Sequence, residues 1–285
     1  MLRLISPLNV VGVPKFVIHP LIKQVVRGLS FGVLVMLSLW PYPGLGQVSL
    51  DVNSADWPPF FLNERATGQP GLARELLNLC VNSKDYTVRY MQLPIKRTHQ
   101  YMQSGELDLA VYSFRPDRES FVWYSAQPLF HSEIGVAVKT EFIQPIEKEA
   151  DLEPWRIGYL AGLALTPTLA VLLGAKKTKT QAVEAYSMEL LFDQLVATPN
   201  RIDLVINSRE SLLWMASRDV YAGKVKVLDF SLERKPYYLT VSRNSRKLAD
   251  PVAFLAKFDA CVQQAQQLGD YQRLFAKYQL QADAG

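Results

Sequence analysis

The period of the hydrophobic pattern changes along the chain in a regular order. Residues 48–53 alternate apolar and polar side chains, the two-residue period of a strand with one buried face. Trp57-Pro-Pro-Phe60 interrupts that strand as a loop. After Gly71 the period becomes helical, with apolar residues at Leu72, Leu76, Leu79 and Cys80. The pattern predicts a strand over 86–91, a helix over 95–104 ended by Gly105, and strands over 107–112 and 134–138.

The same order then starts again. A strand is predicted over 155–160, followed by a small-residue turn at Ala161-Gly162 and a helix through Leu173. A short strand at 185–186 leads into a helix over 188–196, and a strand over 202–206 leads into a helix through Ala216. Strands over 225–228 and 237–241 follow, and two helices over 251–266 and 270–278 close the chain. Strand–helix alternation in two rounds predicts an α/β protein with two lobes. Ser104-Gly-Glu-Leu-Asp108 and Asn200-Arg-Ile-Asp203 occupy matching places, each a helix end leading into a buried strand beside an acidic residue. Chain crossings near 139–145 and 229–237 give a first lobe of 47–139 plus 236–285 and a second lobe of 140–235.

Composition narrows the class. Hydrophobic residues make up 49% and charged residues 20%, the balance of a globular chain rather than a disordered one. Mean hydropathy of +0.01 is too low for a polytopic membrane protein. Of 31 Lys and Arg, those in the first 46 positions (Arg3, Lys15, Lys23, Arg27) come without any Asp or Glu, and the rest balance 27 acidic residues. Nucleic acid is therefore not an expected partner.

The basic residues Lys23 and Arg27 precede an uncharged run from Leu29 to Trp40, then Pro41, Pro43 and the small-x-small triplet Gly44-Leu45-Gly46. This is the layout of a secretory signal peptide over 1–46, and its apolar run is short of the roughly 20 residues that span a bilayer. An uncleaved anchor is the alternative. No cysteine lies near the cleavage point, so the reading is a periplasmic protein and not a lipoprotein. In an oxidising compartment Cys80 and Cys261 are a candidate disulfide, with two buried thiols as the alternative. Two cysteines cannot build a four-thiolate metal site, and His99 and His131 have no partner at metal-ligand spacing. No metal or cofactor is expected.

Asp56-Trp-Pro-Pro-Phe60, Gly71-Leu72, Leu93-Pro-Ile-Lys-Arg97, Ser104-Gly-Glu-Leu-Asp108 and Arg115-Pro-Asp-Arg118 through Ser125-Ala-Gln-Pro128 occur in this order. Together they resemble the family 3 extracellular solute-binding proteins, the periplasmic receptors of polar amino acid ABC importers. The resemblance covers essentially all of 47–285 and is most specific over 93–128. It implies the two-lobed type II periplasmic binding protein fold, with a hinge and an interlobe cleft. It also implies a monomer that captures a small, carboxylate-bearing solute and delivers it to an ABC transporter permease or a sensor kinase.

The resemblance also implies the site. Arg118 would grip a ligand carboxylate, a task suited to a planar, permanently charged fork of donors; the alternative is a surface ion pair with Asp117 or Glu119. Asp56, Trp57 and Phe60 would line the cleft after the first strand, unless the aromatics cap the lobe. Tyr112 and Ser113 would hold ligand at the end of the third strand, with Tyr112 alternatively in the core. Gly162 and Leu163 would present backbone amides at a helix start. Asn207 and Ser208 stand where amino-acid binders carry an acidic partner for the ligand amine, so a polar or anionic solute fits better than a strict amino acid. Arg97 either faces the cleft or caps the lobe.

Two other function classes remain in view. A dehydratase-like periplasmic enzyme on the same scaffold would need a general acid or base, and Glu133, Asp56 and Asp203 are the carboxylates available for it. A degenerate sensory or interaction module would bind no solute. The signal-peptide reading has a direct check: N-terminal sequencing of protein recovered from the periplasm should begin at Gln47, and an intact Met1 on membrane-associated protein would contradict it.

Overall fold

The computed structural model describes residues 46–55, 57–163 and 165–282. The signal-peptide reading lies outside them except for Gly46. Strand β1 (Val48–Asn53) pairs in parallel with β2 (Tyr86–Met91) along its whole length and with β3 (Leu109–Ser113) at Val52. Between β1 and β2 come the single turn α1 (Glu64–Thr67) and helix α2 (Leu72–Val81), which buries Leu72, Ala73, Leu76, Leu77 and Val81. Helix α3 (Ile95–Ser104) connects β2 to β3 and stops at Gly105. That glycine sits at φ 81°, and a Cβ there would run into the backbone of Asn244.

A 3₁₀ turn (Pro116–Ser120) and the short β4 (Val122–Tyr124) lead to β5 (Phe130–Lys139). Then the parallel arrangement recurs. Strand β6 (Ile157–Leu160) pairs with β7 (Ala182–Ala185) and with β8 (Leu204–Ser208), all parallel. Helices α4 (Pro167–Thr178), α5 (Met188–Val196) and α6 (Arg209–Ala216) follow β6, β7 and β8. Strand β9 (Val225–Ser242) is followed by α7 (Pro251–Gln267) and α8 (Asp270–Lys277).

The sheet order is β2-β1-β3-β9-β5-β8-β6-β7, with β4 also on β9. Two parallel triplets, β2-β1-β3 and β7-β6-β8, thus flank an antiparallel pair, β9 and β5. The core divides in the same way. One buried cluster draws on β1, α2, β3 and the closing helices, from Leu50 to Phe275 and Tyr278; a smaller one joins Met102, Leu107 and Tyr112. Two others draw on residues between Ile134 and Tyr221 or Val225. Trp214 is half-buried against clusters of both kinds.

Both halves are fastened at the same place. Asp51 donates its amide to Asp108 Oδ2 at 2.8 Å, and the Asp108 amide returns a bond to the Asp51 carbonyl at 3.0 Å. In the other half Arg156 donates its amide to Asp203 Oδ2 at 2.9 Å, and the Asp203 amide returns a bond to the Arg156 carbonyl at 2.8 Å. The two motifs matched in the sequence are therefore strand-start clamps. Burial alone would raise the Asp203 pKa, but hydrogen bonds from Arg156 and Asn200 outweigh it and hold the carboxyl below its ordinary value. Asp203 is thereby engaged structurally at the strand start.

Residues 225–242 depart from the sequence pattern. Two strands were expected there with a break between them, because Asp229, Glu233, Arg234, Lys235 and Pro236 read as a loop. The structure runs one unbroken strand through them, paired with β5 from Lys139–Val225 to Phe130–Tyr237. Phe230 and Leu232 keep the two-residue period and pack against the core, so the polar neighbours fall on the other face. The register slips at Ile134/Gly135 and again between Gly135 and Ala137. No helix among the described residues is long and apolar enough to cross a membrane.

Cys80 on α2 and Cys261 on α7 are joined, with Cα atoms 5.5 Å apart and a separation of 181 positions in sequence. Closing so long a loop restricts the unfolded chain, and removing such a bridge costs about 2–5 kcal/mol in small exported domains. Denaturant melts of wild type and Cys80→Ser/Cys261→Ser should differ by an amount of that order. Equal midpoints would show that the bridge does not constrain the unfolded state.

Candidate functional site

Strand β3 ends at Ser113, and the 3₁₀ turn that follows folds Arg118 back onto it. Arg118 is 8% exposed. Its Nη1 donates to the Ser113 carbonyl at 2.9 Å and approaches Ser113 Oγ at 3.4 Å. The guanidinium carbon lies 4.6 Å from the centre of the Tyr112 ring. Asp117, the alternative partner, is taken by Arg115 at 3.0 Å. No carboxylate among the described residues pairs with Arg118, so a buried cation stands with the Ser113 carbonyl and hydroxyl and an aromatic face. Tyr112 and Ser113 are themselves buried.

His99, read as isolated in the sequence, belongs here. Its Nδ1 lies 2.8 Å from the Tyr112 hydroxyl. Burial, reinforced by the positive charges of Arg118 and Arg115, lowers its pKa to about 4, so the ring is neutral at physiological pH. Tyr237 pairs with Ser113 across β3 and β9. Burial first, then the nearby Glu210 carboxylate, pushes its hydroxyl up to about 12. Burial also raises the Glu210 pKa, although Ser132 Oγ donates to Glu210 Oε2 at 2.6 Å and the Glu133 amide donates to Oε1 at 3.2 Å.

The loop after β1 behaves differently from expectation. Asp56 lies outside the described residues. Phe60 is 0% exposed and stacks on Phe130 with ring centres 4.1 Å apart, which makes it a core residue with no surface for a ligand. Trp57 is half-buried against Phe60, Phe130 and Tyr237. Its Nε1 donates to Ser208 Oγ at 3.1 Å, Ser208 Oγ donates to Ser211 Oγ at 2.7 Å, and Ser211 Oγ donates to the Pro58 carbonyl. This closed chain of hydroxyls joins the β1–α1 loop to the β8–α6 junction. Sequence reading passed over Ser211 because its acceptor, the Pro58 carbonyl, lies 153 residues away.

The second half supplies fewer ligand groups than expected. Gly162, at φ 85°, is exposed, and a Cβ there would strike Ile95 at the start of α3. The Leu163 amide donates to the Leu160 carbonyl at 3.1 Å, which closes the turn on itself. Helix α4 starts only at Pro167, and Thr166 Oγ1 caps it by accepting the Leu169 amide at 3.0 Å. Of the two expected amides, that of Leu163 is thus spent inside the turn. Asn207 is buried; its side-chain amide faces the Met188 sulfur and its Oδ1 accepts the Ser208 amide at 2.7 Å. Both ends of that side chain are satisfied inside the second half, so Asn207 has nothing left to present. Arg97 is exposed on α3. Among the described residues no group of three or more His, Cys, Asp and Glu is placed to hold a metal ion.

The fold is that of periplasmic binding proteins. An ancestral arginine-binding protein bound to arginine superposes with a TM-score of 0.64 at 18% identity, over 81% of this chain and 98% of that one. The GluR0 ligand-binding core from Nostoc punctiforme, in complex with L-glutamate, gives 0.63 at 19% identity over 80% and 98%. A histidine kinase sensor domain with similarity to periplasmic binding proteins gives 0.63 at 14% identity over 84% and 100%. No family model and no curated protein matches the sequence.

The hydroxyl chain makes a prediction. Ser211→Ala leaves the Pro58 carbonyl and one side of the Ser208 hydroxyl without a partner in a buried place, which costs about 1–3 kcal/mol. Urea unfolding followed by tryptophan fluorescence should show that loss, and an unchanged midpoint would mean that water replaces the serine.

Proposed function

We propose that the protein is a periplasmic solute-binding protein that captures a small, polar, carboxylate-bearing solute. The observation that carries this reading is Arg118, a buried guanidinium with no carboxylate partner among the described residues. A buried cation without a counter-charge is costly, and a ligand carboxylate would supply both the charge and two parallel acceptors. Ser113 and Tyr112 fix the guanidinium plane, so little rotamer freedom is lost when the ligand arrives.

In this reading the lobes are 47–139 with 236–285, and 140–235, and they move about the β5–β9 pair. Trp57 forms one wall, its indole already reaching Ser208 across the gap. Neutral Ser208 in that place favours an organic acid or an amino-acid-like solute over one that needs a strong ammonium acceptor. A binding role fits better than a dehydratase-like one, since Asp203 is clamped by Arg156 and Glu133 lies 3.7 Å from Arg234. The likeness to amino-acid-binding proteins supports delivery to an ABC importer, and the likeness to a kinase sensor domain supports a sensory partner as the second reading.

A thermal-shift screen of amino acids and organic acids would find the solute, because a ligand at 100 times its Kd stabilises by about 2.7 kcal/mol. Isothermal titration with that solute should then show Arg118→Ala weakening binding by about 2–5 kcal/mol, with Arg118→Lys recovering only part of it. Unchanged affinity in Arg118→Ala would remove the carboxylate anchor.

A further inference from the structure

A second arginine shares the geometry of Arg118. Arg74, on α2, lies with its guanidinium carbon 4.2 Å from the centre of the Tyr90 ring. That ring is fixed, because the Tyr90 hydroxyl donates to Asn78 Oδ1 at 2.8 Å and to the Arg74 carbonyl at 3.1 Å. The Arg74 side chain is 17% exposed, and its carboxylate partner, Glu64, is 55% exposed and 3.4 Å away. Arg74 Nε is buried with no hydrogen-bond partner. A guanidinium held flat on an aromatic ring, with donors unused, is organised for an oxyanion.

Arg74 and Tyr90 form part of one wall of a cavity of about 900 Å³. The facing wall carries Trp214 from α6, Arg218 from the turn that follows it and Glu189 from α5, and Arg65 joins the first wall. Glu189 is taken by Arg218 at 2.9 Å, and Glu64 answers Arg74. Arg65 has no carboxylate partner among the described residues, so the lining carries an excess positive charge. The volume lies near the top of the roughly 300–1,000 Å³ range of ligand pockets, more than one amino acid requires. Arg118 and Trp57 do not line it.

We propose that this cavity is a second solute site, separate from Arg118, for a ligand that carries more than one oxyanion group. Arg74 holds one group against the Tyr90 platform. Arg218 and Arg65 hold the others, and Trp214 covers the carbon skeleton. Because the walls come from the loop after β1, α1, α2 and β2 on one side and from α5, α6 and the turn after it on the other, an occupant bridges the two halves of the sheet.

The test titrates the purified protein with citrate and, separately, with inorganic phosphate at low salt, in wild type and in Arg74→Gln, Arg218→Gln and Arg118→Ala. Citrate should bind wild type, and Arg74→Gln should weaken it at least ~10-fold, the effect of losing one charged hydrogen bond. Arg218→Gln should weaken it several-fold, and Arg118→Ala should leave it unchanged while weakening binding of the solute found by the thermal-shift screen. Arg218 is half-exposed, so its variant carries the test if Arg74→Gln does not fold, as judged by circular dichroism. Phosphate binding with the same variant profile would assign a phosphorylated solute, and citrate binding alone a polycarboxylate. The proposal fails if neither anion binds, or if citrate affinity responds to Arg118→Ala and not to the Arg74 or Arg218 variants.

Discussion

Antiparallel pairing of β5 with β9 is the constraint on which the other elements depend. Strand β9 gives its last residues to β3 and β4 and its earlier ones to β5, while β5 gives its other edge to β8. Each parallel triplet is thus hydrogen-bonded to a strand that also belongs to its neighbour. Without this pair the triplets would be two separate sheets, each with an exposed edge. The register slips at Gly135 fall within this shared seam, where the ladder of hydrogen bonds is interrupted. Gly135 packs against the Cβ of Arg209, so a side chain at that position would press directly on the start of α6.

The halves obey one construction rule with different chemistry. Asp108 and Asp203 make the same reciprocal backbone pair at equivalent strand starts, yet their surroundings differ. Asp203 is clasped by the Arg156 side chain at 2.7 and 2.9 Å. Asp108 shares Lys247 with Asp51, at 2.8 and 2.7 Å, and Asp51 also takes a bidentate contact from Arg89. Asp108 and Asp203 sit at strand starts, whereas Arg118 lies beyond the end of β3. Arg118 rests on Tyr112 with no carboxylate partner among the described residues, while Arg74 has both the Tyr90 ring and Glu64.

Much of this was legible in the sequence, and the failures have physical causes. Helix α5 was readable because Ser187 caps it and its apolar stripe is clean. The continuity of β9 was hidden because a charged run ending in Pro236 reads as a break when its pairing partner is unseen. Strand β4 is three residues long, too short to show a period. Arg118 was identified by resemblance, but its burial depends on the Tyr112 ring and on the turn from Pro116, which no local pattern reports. Gly162 and Leu163 misled because a glycine turn before a helix resembles an open amide nest until the turn's own hydrogen bond is known. Asn207 misled because a polar residue at a strand end reads as solvent-facing, whereas Met188 draws it inward.

The disulfide also has a consequence for how the chain is made. Helix α2 is among the first described elements to be made and α7 among the last, and the buried cluster that they form with β1 and β3 needs both. Residues between β5 and β9 form a contiguous stretch that can bury its own clusters as soon as it emerges. The half that presents Arg118 has to hold its early strands open until the carboxyl-terminal helices arrive, a long loop closure that comes late in the sequence of events. Covalent closure between α2 and α7 then seals a half whose two segments were made far apart in time.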